Sequence, residues 1–201
     1  MKIGTKILHT GNEIDPTTGA VSVPIFNAAT FRQTSVDACG PYDYSRSGNP
    51  TRNALEEIIA NLEGGVKGFA FSSGMAAISS VFLLFSPGDH IVACEDVYGG
   101  AYRVLNKLFS RLGIESTFVD FTDIGKIREA VRPNTRALYL ETPSNPLLKI
   151  TDLRAVSALA RERGLLGIID NTFMTPYLQR PIGYGMDIVI HSATKYLGGH
   201  S

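Results

Sequence analysis

The chain has 201 residues, 44% of them apolar, enough for one full-sized domain that buries roughly 70% of the surface its unfolded chain exposes. Its 19 basic and 19 acidic side chains cancel, which argues against nucleic acid or a membrane surface as partner. No run approaches the roughly 20 apolar residues that span a bilayer, residues 1–6 open no signal peptide, Cys39 and Cys94 suit a reducing compartment, and the four scattered histidines lack common zinc spacing, so a cytoplasmic, metal-independent protein is expected.

Residues 1 to about 50 are rich in turn formers, as in Asp15-Pro16-Thr17-Thr18-Gly19 and Gly40-Pro41-Tyr42-Asp43-Tyr44, and predict an extended arm with turns. Asn49-Pro50-Thr51 then offers cap chemistry, and Leu55, Ile58, Ile59 and Leu62 recur at helical spacing up to Gly64-Gly65. Beyond that, β-rich runs alternate with helical ones. The runs are 68–71, 90–94, 116–120, 135–141, 165–170 and 187–192, and the helical stretches are 75–85, 101–112, 123–131 and 152–163. Residues 171–186 read as a long loop. Alternation of this kind predicts an α/β fold, a mostly parallel sheet sandwiched by helices.

In an open parallel sheet the ligand site lies beyond the carboxyl ends of the strands. The unusual residues of this sequence fall there, one run after another. Ser72-Ser73-Gly74-Met75 follows the first, Tyr98-Gly99-Gly100 the second, and Pro143-Ser144-Asn145-Pro146 the fourth. Asp170-Asn171-Thr172 closes the fifth, and Ser192-Ala193-Thr194-Lys195 the sixth. An anion nest, an aromatic ring, an amide, a carboxylate and a lysine would share one crevice.

The turn at Ser73, Gly74 and Met75 suits a phosphate, because free N–H groups at a helix start bind anions and glycine lets the backbone approach. An ordinary strand-to-helix turn with a serine N-cap reads the same way. Neither the Gly-x-x-x-x-Gly-Lys nucleotide loop nor the Gly-x-Gly-x-x-Gly dinucleotide fingerprint is present. Lys195 follows an apolar strand and the hydroxyls of Ser192 and Thr194, which could hold a phosphate while the amine reaches an aldehyde. Schiff-base chemistry asks for such a lysine partly out of water. Asp170 closes an apolar run and should be buried. A pyridinium N–H would suit it as partner, although a cap or an Asx turn would also account for it.

Taken together, Tyr44-Ser45-Arg46, Asn49-Pro50-Thr51, Ser72-Ser73-Gly74-Met75-Ala76-Ala77, Asp96-Val97-Tyr98-Gly99-Gly100, Glu141-Thr142-Pro143-Ser144-Asn145-Pro146, Asp170-Asn171-Thr172 and Ser192-Ala193-Thr194-Lys195-Tyr196 resemble the Cys/Met-metabolism family of pyridoxal-phosphate enzymes. That family includes cystathionine β- and γ-lyases, cystathionine γ-synthase, methionine γ-lyase and O-acetylhomoserine sulfhydrylase. The resemblance implies the large domain of the aspartate-aminotransferase type (fold type I) over residues 51–201, with pyridoxal 5′-phosphate as cofactor. Lys195 would carry the cofactor as a Schiff base, Asp170 would face the ring nitrogen, and Tyr98 would stack on the ring and assist proton transfer. Gly74, Met75, Ser192 and Thr194, with Ser73, would hold the phosphate, and Asn145 and Thr172 would complete the pocket.

The resemblance further implies that residues 1–50 serve a neighbouring subunit, with Tyr44 and Arg46 reaching its phosphate, in a homotetramer built from two active dimers. The expected activity is C–S elimination from cystathionine, a small sulfur amino acid, with γ-replacement by a synthase or sulfhydrylase as the alternative. Methionine γ-lyases have a cysteine where this chain has Gly100. The family's chains are longer, which implies that a strand between the first and sixth runs and a C-terminal domain with the substrate-carboxylate arginine lie outside this chain. A non-catalytic α/β fragment is the alternative of another kind.

Overall fold

The computed structural model describes residues 2–200 and divides into two compact units, one up to Ala70 and one from Phe71 onward. In the first unit, helix α1 (Ile3–His9) packs on helix α2 (Pro50–Glu63). The cap expected at Asn49 is present. Its side chain accepts from the Thr51 N–H at 2.9 Å, Pro50 occupies the first turn, and Gly64 closes the helix in the left-handed conformation. Helix α1 corrects the expectation of a purely extended arm. None of its residues is buried, so the core-facing stripe that marks a helix in sequence is missing.

The second unit is a five-stranded, wholly parallel sheet of order β2-β1-β3-β4-β5. Its strands are β1 (His90–Cys94), β2 (Glu115–Val119), β3 (Thr135–Glu141), β4 (Leu166–Asp170) and β5 (Ile188–Ile190). The helices are α3 (Gly74–Phe82), α4 (Gly99–Arg103), α5 (Ile124–Ala130), α6 (Leu153–Arg163) and the one-turn α7 (Thr175–Leu178). Every residue of β1, and all of β3 but Arg136, is buried, as expected of a parallel sheet covered on both faces. Phe82 of α3 sits edge-on to both Phe109 and Tyr139, with ring centroids 5.6 and 5.1 Å away, which ties α3 to the middle of the sheet.

Two further expectations are corrected. Residues 68–71 form no strand. Their composition favours an extended backbone, but a strand needs a neighbour to share its ladder, and the Ala70 N–H instead donates to the Glu56 carboxylate on α2 at 3.0 Å. The helix expected over 101–112 passes from α4 into a π-helical turn at Val104–Leu108 and a 3-10 turn at Phe109–Leu112. Ala101, Leu105 and Phe109 are all buried. Residues four apart drift about 40° around a regular α-helix, and a locally wider turn brings them back to one face.

The order in which strands are added reverses at β1, which leads to β2 on one side while β3 lies on the other. The carboxyl ends of β1 and β3 therefore flank a topological switch point, where α/β sheets open a crevice.

Candidate active site

The rim beyond the strand ends is held together by specific contacts. Asp170 closes β4 and is 8% exposed. Its Oδ1 accepts the Thr172 N–H at 3.0 Å and the Thr172 hydroxyl at 2.5 Å. Burial raises the Asp170 pKa above the ordinary carboxyl value, opposed by the two Thr172 bonds and by His191. Thr172 also accepts the Ser192 N–H at 2.8 Å, which joins the end of β4 to the segment following β5. Phe173 and Tyr196 pack ring to ring at 6.1 Å across the same two segments.

Ser73 caps α3, its hydroxyl accepting the Ala76 N–H at 3.1 Å, so the N-cap reading of this turn holds. The anion reading is compatible with it, because the other N–H groups of a first helical turn have no partner within the helix. Gly74 approaches Ser192 so closely that a Cβ on it would lie 2.8 Å from Ser192 Cβ and 2.9 Å from Oγ. The start of α3 and the Ser192 hydroxyl therefore meet at one spot, a donor set of the kind a phosphoryl group takes. On the neighbouring loop, a Cβ on Gly100 would lie 2.5 Å from the Tyr98 ring and 2.6 Å from Met75 Sδ. Glycine there lets the ring fold back over the head of α4 beside Met75.

The loops that carry Tyr98 and Asn145 are braced against each other. The Tyr98 N–H donates to Glu141 Oε1 at 2.5 Å, the Ser144 hydroxyl donates to Asp96, and Lys149 Nζ meets Glu95 at 2.7 Å. Within the second loop the Lys149 N–H donates to Ser144 Oγ at 3.0 Å. Glu141, Asp96 and Ser144 carry no role in the sequence reading. The available signal was a carboxyl at the end of an apolar strand, the same signal that marked Asp170.

Lys195 lies in the turn after β5, with its N–H on the Ser192 carbonyl at 3.2 Å and its own carbonyl accepting from Gly199. Its side chain is exposed, in contrast to the partial burial that Schiff-base chemistry asks for. Asn145 is likewise exposed and Thr194 half-buried. Among the described residues these three make no side-chain hydrogen bond, and they share the rim by topology alone. In the first unit Arg46 sits over the Tyr44 ring, 5.0 Å from its centroid. Arg52 of α2 holds that turn by donating to the carbonyls of Ser45, Arg46 and Ser47.

A cofactor with an anionic tail, a flat ring and a ring N–H fits these residues. The Gly74–Ser192 contact suits the tail, Tyr98 offers a ring face, and the buried Asp170 carboxylate calls for a positive partner. Among the described residues no group of His, Cys, Asp and Glu could hold a metal ion, and no helix is long and apolar enough to cross a membrane.

Comparison with known proteins agrees with this fit. The family model described as Cys/Met metabolism PLP-dependent enzyme matches residues 4–201. Cystathionine beta-lyase MetC of Bacillus subtilis (strain 168) is 60% identical over 197 residues, 98% of this chain and 50% of that protein. Cystathionine gamma-lyase of the same strain is 56% identical over 201 residues, 100% of this chain and 53% of that protein. The crystal structure of cystathionine gamma-lyase from Lactobacillus plantarum complexed with L-serine superposes with a TM-score of 0.96 at 54% identity, covering 100% of this chain and 52% of that one. The chain spans about half the length of the curated relatives it matches.

Proposed function

Because the chain belongs to the Cys/Met metabolism family of PLP-dependent enzymes, we propose that it forms the cofactor-holding part of a C–S lyase that cleaves cystathionine by β- or γ-elimination. The observation that carries this reading is the buried Asp170 carboxylate, fixed by Thr172 to the segment that presents Ser192, which in turn meets Gly74. Bound there, pyridoxal 5′-phosphate supplies an electron sink for negative charge at the substrate Cα.

The chain's own residues supply the rest. Gly74, Met75, Ser73, Ser192 and Thr194 would hold the phosphate, and Tyr98 would stack on the ring. Asp170, its carboxylate fixed by Thr172, would keep the ring nitrogen protonated, and Asn145 would serve the ring hydroxyl. Lys195 would hold the cofactor, and its amine would serve as the general base that takes the proton from the substrate Cα and delivers it toward Cβ. Tyr98 assists proton transfer as the thiol leaves. A side chain at position 100 would collide with Tyr98 and Met75, which disfavours the methionine-cleaving arrangement with cysteine there.

The same reading makes residues 51–201 the cofactor-binding domain and residues 1–50 an arm serving a neighbouring subunit. Tyr44 and Arg46 would reach that subunit's phosphate in a cytoplasmic homotetramer, and the stacking of Arg46 on Tyr44 in an exposed turn supports it. The intact protein is to be assayed with cystathionine, and separately with an activated homoserine ester plus cysteine. Thiol or keto acid released from cystathionine as the dominant product is expected. Dominant replacement product from the ester would assign a γ-synthase instead.

A further inference from the structure

Glu141 ends β3 as Asp170 ends β4, and the two are register partners in adjacent parallel strands. Their side chains therefore leave the sheet on the same face. Both are buried, at 7% and 8% exposure. Two carboxylates side by side out of water cannot both stay ionised.

Donors are divided unequally between them. Asp170 receives the N–H and the hydroxyl of Thr172, and His191 after β5 favours its charged form. Glu141 receives one neutral N–H, that of Tyr98, while Asp170 and Asp96 oppose its ionisation. The remaining titratable groups nearby, Tyr139 on β3 and Cys94 on β1, become negative when they ionise and give Glu141 no cation.

We propose that Glu141 is a positioning residue: it holds the single proton of a Glu141–Asp170 carboxyl pair, leaves the charge on Asp170, and fixes the Tyr98 ring through the N–H at the head of α4. The proposal rests on the reading of this rim as the pyridoxal-phosphate site. A neutral acid at 141 keeps negative charge where the ring nitrogen meets it, and spares the Tyr98 turn a second carboxylate. Burial and the Asp170 charge push the Glu141 pKa up to about 8, in keeping with this division.

Infrared difference spectroscopy on the intact, cofactor-free protein decides where the proton sits. At pH near 7 the wild-type minus Glu141→Gln spectrum should contain a protonated-carboxyl C=O stretch. A difference spectrum holding only carboxylate bands would overturn the proposal. Titration with pyridoxal 5′-phosphate, followed by visible absorbance and circular dichroism, tests the positioning role. Glu141→Gln keeps an acceptor for the Tyr98 N–H and should bind within about threefold of wild type, whereas Glu141→Ala should bind roughly tenfold more weakly with reduced visible dichroism, as one hydrogen bond's loss implies. Wild-type affinity and dichroism in Glu141→Ala would refute the role. Failure of the wild type itself to bind the cofactor would instead refute the reading of the rim, while the infrared result would still locate the proton.

Discussion

Replacing Glu141 with Gln should change how stability depends on pH, by an amount the burial of this carboxyl sets. In the unfolded chain the group titrates near its ordinary 4.5, and in the fold near 8. Below pH 4.5 both states hold the proton, and glutamine is a near-isosteric stand-in. Between 4.5 and 8 the unfolded chain releases the proton while the fold keeps it, so wild-type stability declines as pH rises. At about 1.4 kcal/mol per pH unit that interval gives an upper limit of roughly 5 kcal/mol. Burial also raises the Asp170 pKa, and the side chains around the pair relax as Glu141 charges, so we expect about 2–4 kcal/mol in practice. Urea unfolding of both proteins from pH 4.5 to 8.5 reads this directly, since the midpoint and slope give the stability at each pH. The variant should gain steadily on the wild type and level off above pH 8. Parallel pH profiles, with a difference constant to within about 0.5 kcal/mol, would refute the assignment of a buried, protonated Glu141.

Tyr139 is fully buried, and its hydroxyl has no hydrogen-bond partner among the described residues. Tyr139→Phe should therefore be neutral or stabilising by up to about 2 kcal/mol in thermal unfolding, and a loss above about 1 kcal/mol would point to a partner for that hydroxyl. His90 is buried between the hydroxyls of Thr135 and Thr117, at 2.8 and 2.9 Å, and burial, then Arg132, lowers its pKa. The unfolded chain takes up a proton that the fold resists, so stability should fall as pH drops below about 6.5, by up to about 1.4 kcal/mol per unit; a His90→Gln variant should lose that slope. Gly74→Ala would drive a Cβ to 2.8 Å from Ser192. A destabilisation of about 1–3 kcal/mol is expected, with pyridoxal-phosphate affinity falling more than tenfold by equilibrium titration, and unchanged affinity would remove this contact from the phosphate site.

Much of the fold was legible because burial on both faces writes itself as apolar, β-branched runs, and the five strands lie within a residue or two of the runs 90–94, 116–120, 135–141, 165–170 and 187–192. The cap at Asn49 was equally legible, whereas those at Asp123 and Asp152 stood inside the expected helical stretches. Asn49, Asp123 and Asp152 all accept N–H bonds from their own first turns. Contacts set by partners rather than by local pattern were not. Helix α1 buries nothing, and residues 68–71 depend on Glu56, a residue far away in sequence. At the rim, sequence position brought the right loops together, and the structure adds which atoms meet: Thr172 with Asp170 and Ser192, Gly74 with Ser192, and Gly100 with Tyr98 and Met75. Glu141 carried the same local signal as Asp170, a carboxyl closing an apolar strand, but its proposed role comes from two long-range facts, its register with Asp170 and the N–H of Tyr98.

Reduction of the pyridoxal-phosphate-loaded intact protein with borohydride, followed by peptide mass spectrometry, bears most directly on the rim as a cofactor site. One phosphopyridoxyl group per chain, attached at Lys195, is the expected result. Label on another lysine, or none at stoichiometric loading, would mean that the crevice between Gly74, Asp170 and Lys195 does not hold this cofactor.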